Sequence, residues 1–181
     1  MWKNWSGFVE CPQTPVLAPD SSGALAQVLA DAARDGQPVR MVGAGHSFSP
    51  LVASEGVIVS LDQLQGVIAV DAATRVARVH AGTRLYALGA ALAQRGLAME
   101  NVGDINVQSI AGATSTGTHG TGIGFGNLAT QIAALKFVTA DGRELVASPD
   151  ENPELFAGGR IALGSLGVLT EISLRLVPAF T

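Results

Sequence analysis

The chain has 181 residues, a net charge of −4, one cysteine and a hydrophobic content of 48%. This length suffices to bury one large core or two small ones, and the acidic balance without a basic run argues against nucleic-acid partners. A single cysteine, Cys11, excludes an intrachain disulfide, and the absence of an apolar leader or of a run near ~20 apolar residues predicts a cytoplasmic protein without a membrane span.

The first third of the chain predicts a helix between short strands. Apolar residues from Leu25 to Ala33 recur at helical spacing, with Ser22 as the expected N-cap and Gly36 at the end. The run Pro38–Val42 then predicts a buried strand that leads into a glycine loop, and a second apolar strand follows at 57–61. This order of elements is typical of an α/β layout.

The remainder of the chain predicts mainly strands. Thr83 is the expected cap of a second helix, which closes at Gly96, and the pair Asp141-Gly142 is a hairpin signal. The predicted strands are 67–71 with 75–80, 132–139 with 144–148, and the alternating run 169–177. We therefore expect an α+β chain of two small α/β subdomains, about 1–65 and 66–181, that share one ligand.

Glycine is the informative deviation in composition. Twelve of the 22 glycines gather at 43–45, 112–126 and 158–167, and periodicity disappears over the long segment 101–126. Glycine lets a turn approach a ligand closely, and a long loop inside a compact domain is usually functional. Clustered glycines therefore predict several loops that converge on an extended ligand.

Two of these stretches predict an anion cradle suited to a pyrophosphate. Residues 43–47 form a glycine loop after a strand, and 109–112 would add a helix start if Ser109 caps it. Neither a GxxxxGK[ST] motif nor the third glycine of GxGxxG is present, and no GxSxG motif is present. His46, His80 and His119 lack metal-ligand spacing, so no metal site is expected. On spacing alone, a tight structural turn remains an alternative for the 43–47 loop.

Four motifs give the chain a family resemblance. In chain order, Asn4-Trp5-Ser6-Gly7, Gly43-Ala44-Gly45-His46-Ser47-Phe48, Gly112 to Gly122 and Leu166-Gly167-Val168 resemble vanillyl-alcohol-oxidase-type flavoproteins. The resemblance is closest to the sugar-1,4-lactone oxidases, such as L-gulonolactone and D-arabinonolactone oxidases, with alditol oxidases next. It implies an FAD-binding PCMH-type domain of two α/β subdomains with FAD between them.

The resemblance also implies site residues. The histidine at the position of His46 is bonded in such enzymes to the flavin 8α-methyl carbon; a merely packed histidine is the alternative. For the threonines of the site, the alternative to binding FAD is that their hydroxyls form hydrogen bonds within a local turn. The implied FAD-binding residues are Val42, Gly43, Ala44, Gly45, His46, Ser47, Gly103, Asp104, Ser109, Gly112, Thr116, Gly117, Thr118, His119 and Val168.

The segment Asn101–Asp104 matches the part of the family that faces the flavin ring. Glycine at the position of Gly103 goes with reaction with oxygen, because a methyl group there narrows the path to dioxygen, whereas alanine goes with dehydrogenases. Asp104 departs from the serine of alditol oxidases, which favours a lactone over a polyol substrate. The resemblance thus implies an oxidase that passes a hydride to FAD and electrons to oxygen, giving hydrogen peroxide.

Family members carry a substrate-binding domain beyond the position of Thr181, so we expect that domain to be absent from this chain. The catalytic base would lie there, and none can be named here; a second chain or domain would complete the active site. Three alternatives stay open: an alditol oxidase or lactone dehydrogenase, an isolated flavin-binding module without turnover, and a 2-hydroxyacid or phenol oxidase of the same superfamily.

Overall fold

The computed structural model describes residues 1–180. It has four α-helices, twelve strands and one 3-10 helix at Leu128–Gln131. The helices are α1 (Ser22–Arg34), α2 (Leu85–Ala93), α3 (Ile110–Ser115) and α4 (Pro153–Gly159). The strands are β1 (Trp2–Lys3), β2 (Glu10–Cys11), β3 (Val16–Leu17), β4 (Val39–Val42), β5 (Val57–Ser60), β6 (Val67–Asp71), β7 (Val76–His80), β8 (Leu97–Ala98), β9 (Ile132–Val138), β10 (Glu144–Ala147), β11 (Val168–Arg175) and β12 (Val177–Pro178).

Two sheets organise the chain, and they confirm the predicted α+β class. A parallel sheet has the strand order β3-β5-β4, and an antiparallel sheet has the order β10-β9-β11-β7-β6. All four residues of β5 are buried, as expected for the middle strand of a parallel sheet. None of the α-helices within residues 1–180 combines the length and the apolar character that crossing a bilayer requires.

The hairpins and the alternating strand were predicted correctly. β6 pairs with β7 and β9 with β10, each antiparallel, and Gly142 takes a positive φ of 79° in the turn. On β11 the alternation places Ile172 and Leu174 fully in the core, while Glu171 and Arg175 lie on the other face. The hydrophobic period therefore predicted which face of this central strand packs on the core.

The predicted helix caps are wrong at two positions. The side chain of Ser21, not Ser22, accepts the hydrogen bond from the Ala24 N–H and caps α1. Thr83 does not cap α2, because the N-cap of α2 is Arg84. The buried Thr83 hydroxyl instead donates to the His80 carbonyl at 2.6 Å. Hydroxyl residues bind any nearby backbone group, so their presence alone does not fix a helix start.

Two further expectations need correction. The strand at 39–42 is half-buried, because β4 is an edge strand of its sheet and Arg40 is exposed. The segment 101–126 is not a continuous loop, since it contains α3. A helix of six residues is too short to display a 3.6-residue repeat, so the possible Ser109 cap was its only signal in the sequence.

One hydrophobic core runs across both sheets. Leu25 of α1 and Val59 of β5 belong to the same cluster as Val79 of β7 and Ile172 of β11. Cys11 is buried in a smaller cluster with Val42 and Ile58. The parallel sheet lies within residues 16–60 and the antiparallel sheet within 67–175. The subdomain limits of about 1–65 and 66–181 stay a prediction.

Candidate cofactor site

A long cleft opens where β4 ends, with an empty volume of about 1210 Å³ including the part open to solvent. It runs between the loop after β4, the start of α3 and the segment before β11. Ten of the fifteen residues expected at the FAD site line it: Val42, Gly43, Ala44, Gly45, His46, Ser47, Ser109, Gly112, Thr116 and Val168. Segments far apart in sequence are thus brought to one cavity.

The loop at 43–47 presents a row of backbone donors to this cleft. Gly45 has a φ of 66°, a left-handed conformation that glycine adopts without steric cost. Within residues 1–180, none of the five N–H groups from 43 to 47 donates a hydrogen bond to a protein acceptor. Successive N–H groups in such a turn form an anion-binding concavity. The loop therefore has the donors that a diphosphate would need.

The loop and α3 are in close contact. A Cβ atom on Gly43 would lie 2.3 Å from the Ser109 hydroxyl and 3.3 Å from the Ser109 Cβ. Ser109 caps α3 as predicted, accepting a hydrogen bond from the Gly112 N–H at 3.2 Å. Only glycine at 43 leaves room for this cap, so Gly43 joins the two segments that form one end of the cleft.

The start of α3 offers few unused donors. The N–H groups of Ile110 and Ala111 donate to the carbonyls of Thr83 and Ala81, at 2.8 and 3.1 Å. Gly112 donates to Ser109, as described above. The contribution of Ser109 and Gly112 to the cleft is therefore one of shape, and the 43–47 loop carries the donors for an anion.

His46 is half-buried on the wall of the cleft. The indole of Trp5 stacks on its ring, with a centroid distance of 5.0 Å and an interplanar angle of 21°. Beside it, the buried Asn4 side chain donates to the Ser47 carbonyl at 3.0 Å, and the Trp5 N–H donates to the Gly45 carbonyl at 2.9 Å. Residues 4 and 5 thus hold the loop on both sides of His46.

The five other expected residues lie outside the residues that line the cleft. They are Gly103, Asp104, Gly117, Thr118 and His119. A Cβ on Gly103 would lie 2.9 Å from the Thr118 methyl carbon, and the Gln108 amide donates to the Thr118 hydroxyl at 3.1 Å. His119 Nδ1 lies 2.8 Å from the Gly120 carbonyl oxygen, and Asp104 is exposed. Gly103, Thr118 and His119 form a separate contact cluster.

The sequence predicted a ligand loop at 158–167 but assigned none of its residues to the site. The third wall of the cleft is built from the end of α4 and the segment after it, with Gly159, Ala162, Leu163, Gly164 and Gly167. A Cβ on Gly159 would lie 2.5 Å from the Phe137 ring, so this glycine is required for packing. The glycine cluster at 158–167 was the available signal, but no residue of it except Val168 next to it was assigned. Asp62, which pairs with Arg84 at 2.5 Å, also lines the cleft.

The chain matches the FAD binding domain family over residues 14–148, and it belongs to that family. The fold and the cleft therefore define an FAD-binding protein. FAD is the cofactor of this domain, and the 43–47 donors on the cleft fit a dinucleotide diphosphate.

Its relatives are sugar-lactone enzymes by name. The chain is 44% identical over 181 residues to an L-gulono-1,4-lactone dehydrogenase of Mycobacterium tuberculosis. It is 41% identical over 180 residues to a putative D-arabinono-1,4-lactone oxidase of Neurospora crassa, and 35% identical over 179 residues to an L-gulonolactone oxidase of Mus musculus. The matches cover 99% or more of this chain but 42%, 32% and 41% of these relatives.

A solved structure has the same fold. The 6-hydroxy-D-nicotine oxidase of Arthrobacter nicotinovorans superposes with a TM-score of 0.85 at 25% sequence identity, over 98% of this chain and 39% of that chain. The chain is therefore homologous to the FAD-binding part of sugar-1,4-lactone oxidases and dehydrogenases, and it spans less than half the length of each relative.

Proposed function

We propose that the protein serves the oxidation of a sugar-1,4-lactone by FAD. FAD would supply the redox chemistry by accepting a hydride from an alcohol group of the lactone. This chain would bind and orient the FAD. The observation that carries the proposal is the row of five N–H groups at 43–47 that have no protein acceptor within residues 1–180, on a cleft lined by His46. The names of relatives that match the chain over its whole length support the substrate class.

His46 is the proposed covalent anchor of FAD. One ring nitrogen of His46 would replace a hydrogen of the flavin 8α-methyl carbon. Forming this bond would release two protons, one from that carbon and one from the imidazole, together with two electrons, and dioxygen would take up both protons and both electrons to give hydrogen peroxide. Neither ring nitrogen of His46 has a hydrogen-bond partner within residues 1–180, so either is available for the bond.

The 43–47 loop is the proposed diphosphate cradle, with Val42, Ser109, Gly112, Thr116 and Val168 on the walls around it. Gly103 is the proposed determinant of oxygen access. Asp104, Gly117, Thr118 and His119 do not line the cleft, but Gln108, which does, donates to the Thr118 hydroxyl, so we propose that they approach the flavin at its ring end. A methyl at 103 would push directly against Thr118.

The electron acceptor has two candidates. Gly103 favours oxygen with release of hydrogen peroxide, whereas the name of the mycobacterial relative favours another acceptor. An alditol oxidase is a further alternative for the substrate, and a flavin-binding module without turnover is the alternative of another class. We propose a cytoplasmic location, subdomain limits of about 1–65 and 66–181, and a second domain or chain that supplies the sugar pocket.

The test uses the FAD-loaded protein together with the second domain or chain that is proposed to supply the sugar pocket. L-gulono-1,4-lactone is added without oxygen while the flavin absorbance is followed, and air is then admitted while hydrogen peroxide is measured. Bleaching followed by peroxide supports a lactone oxidase. Bleaching reversed only by an added dye supports the dehydrogenase. A bound flavin that never bleaches leaves the binding module.

His46→Ala and His80→Ala form a matched pair for the covalent bond. His80 lies on β7, outside the cleft, and faces Glu171 on β11. Wild type and His80→Ala should retain flavin in an acid precipitate, whereas His46→Ala should release all of it. Flavin that leaves wild type completely on acid treatment contradicts the covalent anchor.

A further inference from the structure

The His46 ring is stacked on one aromatic side chain, that of Trp5. Within residues 1–180 neither ring nitrogen of His46 has a hydrogen-bond partner, whereas His119 is held through Nδ1 by the Gly120 carbonyl. The ring contact of His46 is the stack with Trp5, at 5.0 Å and 21°. A half-buried ring without hydrogen bonds can rotate about its side-chain bonds unless packing restrains it.

The backbone of Trp5 is itself fixed to the loop. Its N–H donates to the Gly45 carbonyl at 2.9 Å, and the preceding Asn4 side chain donates to the Ser47 carbonyl at 3.0 Å. The Asn4 Oδ1 atom accepts from the Val9 N–H at 3.1 Å and from the Ser6 hydroxyl at 3.2 Å. Hydrogen bonds to the Gly45 and Ser47 carbonyls therefore lie on either side of His46 and hold the Trp5 backbone beside it.

Trp5 lies outside the lining of the cleft, although its indole stacks on the His46 ring. His46 lines the cleft and Trp5 does not, and the indole is 63% exposed. Phe48 packs edge-on against the indole, with ring centroids 5.9 Å apart. Exposing a tryptophan to this extent forgoes most of its burial free energy, so packing stability alone does not account for its place.

We propose that Trp5 is a positioning residue for His46: its stacked indole holds the imidazole in the orientation from which a ring nitrogen reaches the flavin 8α carbon. This inference rests on the proposed covalent anchor. A stack covers one face of the imidazole and leaves both ring nitrogens at the open edge. Restraining a nucleophile in this way raises the rate of bond formation rather than the affinity for FAD.

The experiment follows the attachment of FAD to the 181-residue chain under air. The apoprotein is mixed with FAD at several concentrations, and samples are acid-quenched over time to give a maximal rate and a half-saturating concentration. Trp5→Leu removes the stack and keeps an apolar side chain. Trp5→Phe restores an aromatic ring, and Phe8→Ala serves as the control, because Phe8 is 83% exposed in the same segment.

We expect Trp5→Leu to lower the maximal rate about fivefold or more, the effect of removing a stacked pair that restrains one ring. The half-saturating FAD concentration should stay within about twofold of wild type, since the 43–47 donors are unchanged. Trp5→Phe should recover most of the rate, and Phe8→Ala should match wild type. In the apoprotein, nuclear magnetic resonance should show the ring-current shift of the His46 ring protons lost in Trp5→Leu.

Several results would overturn the inference. An attachment rate in Trp5→Leu equal to wild type would do so, as would a change confined to the half-saturating concentration, which would indicate a structural role. Wild type that binds FAD but never retains it after acid would refute the covalent anchor first, and this inference with it. The two failures are therefore distinguishable.

Discussion

Replacing Gly43 by alanine tests the geometry of the cleft directly. The added methyl carbon would lie 2.3 Å from the Ser109 hydroxyl oxygen, far inside van der Waals contact, and 3.3 Å from the Ser109 Cβ. Ser109 can escape only by turning its hydroxyl away, which breaks its cap to the Gly112 N–H. Overpacking of this kind costs about 1–3 kcal/mol. We expect the free energy of unfolding of the apoprotein to fall by about 2 kcal/mol.

A double-mutant cycle with Ser109→Ala identifies the cause. Ser109→Ala alone should cost about 1 kcal/mol, the value of one helix N-cap. In the double variant the hydroxyl that the methyl strikes is gone, so the combined loss should fall short of the sum by about 1 kcal/mol. Gly89→Ala is the control, because nothing lies within 4 Å of a Cβ at that position in α2, and it should stabilise the protein by up to about 1 kcal/mol.

The assays are urea unfolding and titration of FAD by quenching of flavin fluorescence. Because the 43–47 donors move with the loop, Gly43→Ala should weaken FAD binding about tenfold, whereas Gly89→Ala should leave it unchanged. Additive unfolding energies in the cycle, or wild-type stability and affinity in Gly43→Ala, would refute the close contact between the loop and α3.

Three other predictions test separate parts of the fold and site. Ile172→Ala, in the middle of β11 where the side chain is fully buried, should lower the free energy of unfolding by about 2–5 kcal/mol, measured by urea unfolding. Gly103→Ala should slow the reaction of reduced flavin with oxygen, measured by stopped-flow absorbance. Adding Thr118→Ser should make the new methyl at position 103 easier to accommodate, because it removes the Thr118 methyl carbon that lies 2.9 Å from a Cβ at that position. Hydrogen bonds from Thr139 and then Arg143 lower the pKa of Asp141 from 3.8 to about 2. Because the pKa of Asp141 is lower in the folded than in the unfolded chain, the ionised carboxylate stabilises the fold above pH 3.8. This stabilisation disappears as the pH falls towards 2. The difference in free energy of unfolding between wild type and Asp141→Asn should therefore shrink over that range.

The sequence predicted the elements whose pattern repeats. β11 alternates from Glu171 to Arg175, and apolar residues recur at helical spacing from Leu25 to Ala33 in α1, so both elements were assigned to within a few residues. Short elements were harder, because α3 has only six residues. Caps were harder still: Ser21 and Ser22 are adjacent candidates, and only the backbone geometry at Ser21 decides between them.

The sequence predicted which loops form the site, but it did not predict how those loops pack together to line the cleft. The glycine loop and Ser109 were named because glycine and hydroxyl residues carry a local signal. The stack of Trp5 on His46 and the wall formed by Gly159 and Leu163 depend on contacts between distant segments, which one sequence does not encode locally. Contacts between distant segments also decide that Gly103 and Thr118 lie outside the lining of the cleft. The sequence could therefore name these two residues but could not give their position.

The central claim is that His46 carries the flavin, and peptide mapping tests it most directly. Trypsin places the three histidines on separate peptides: His46 on 41–75, His80 on 79–84 and His119 on 96–136. After FAD loading under air and trypsin digestion, mass spectrometry should find the flavin mass on peptide 41–75 alone. A flavin on either of the other histidine peptides, or on none of the three, would contradict the claim.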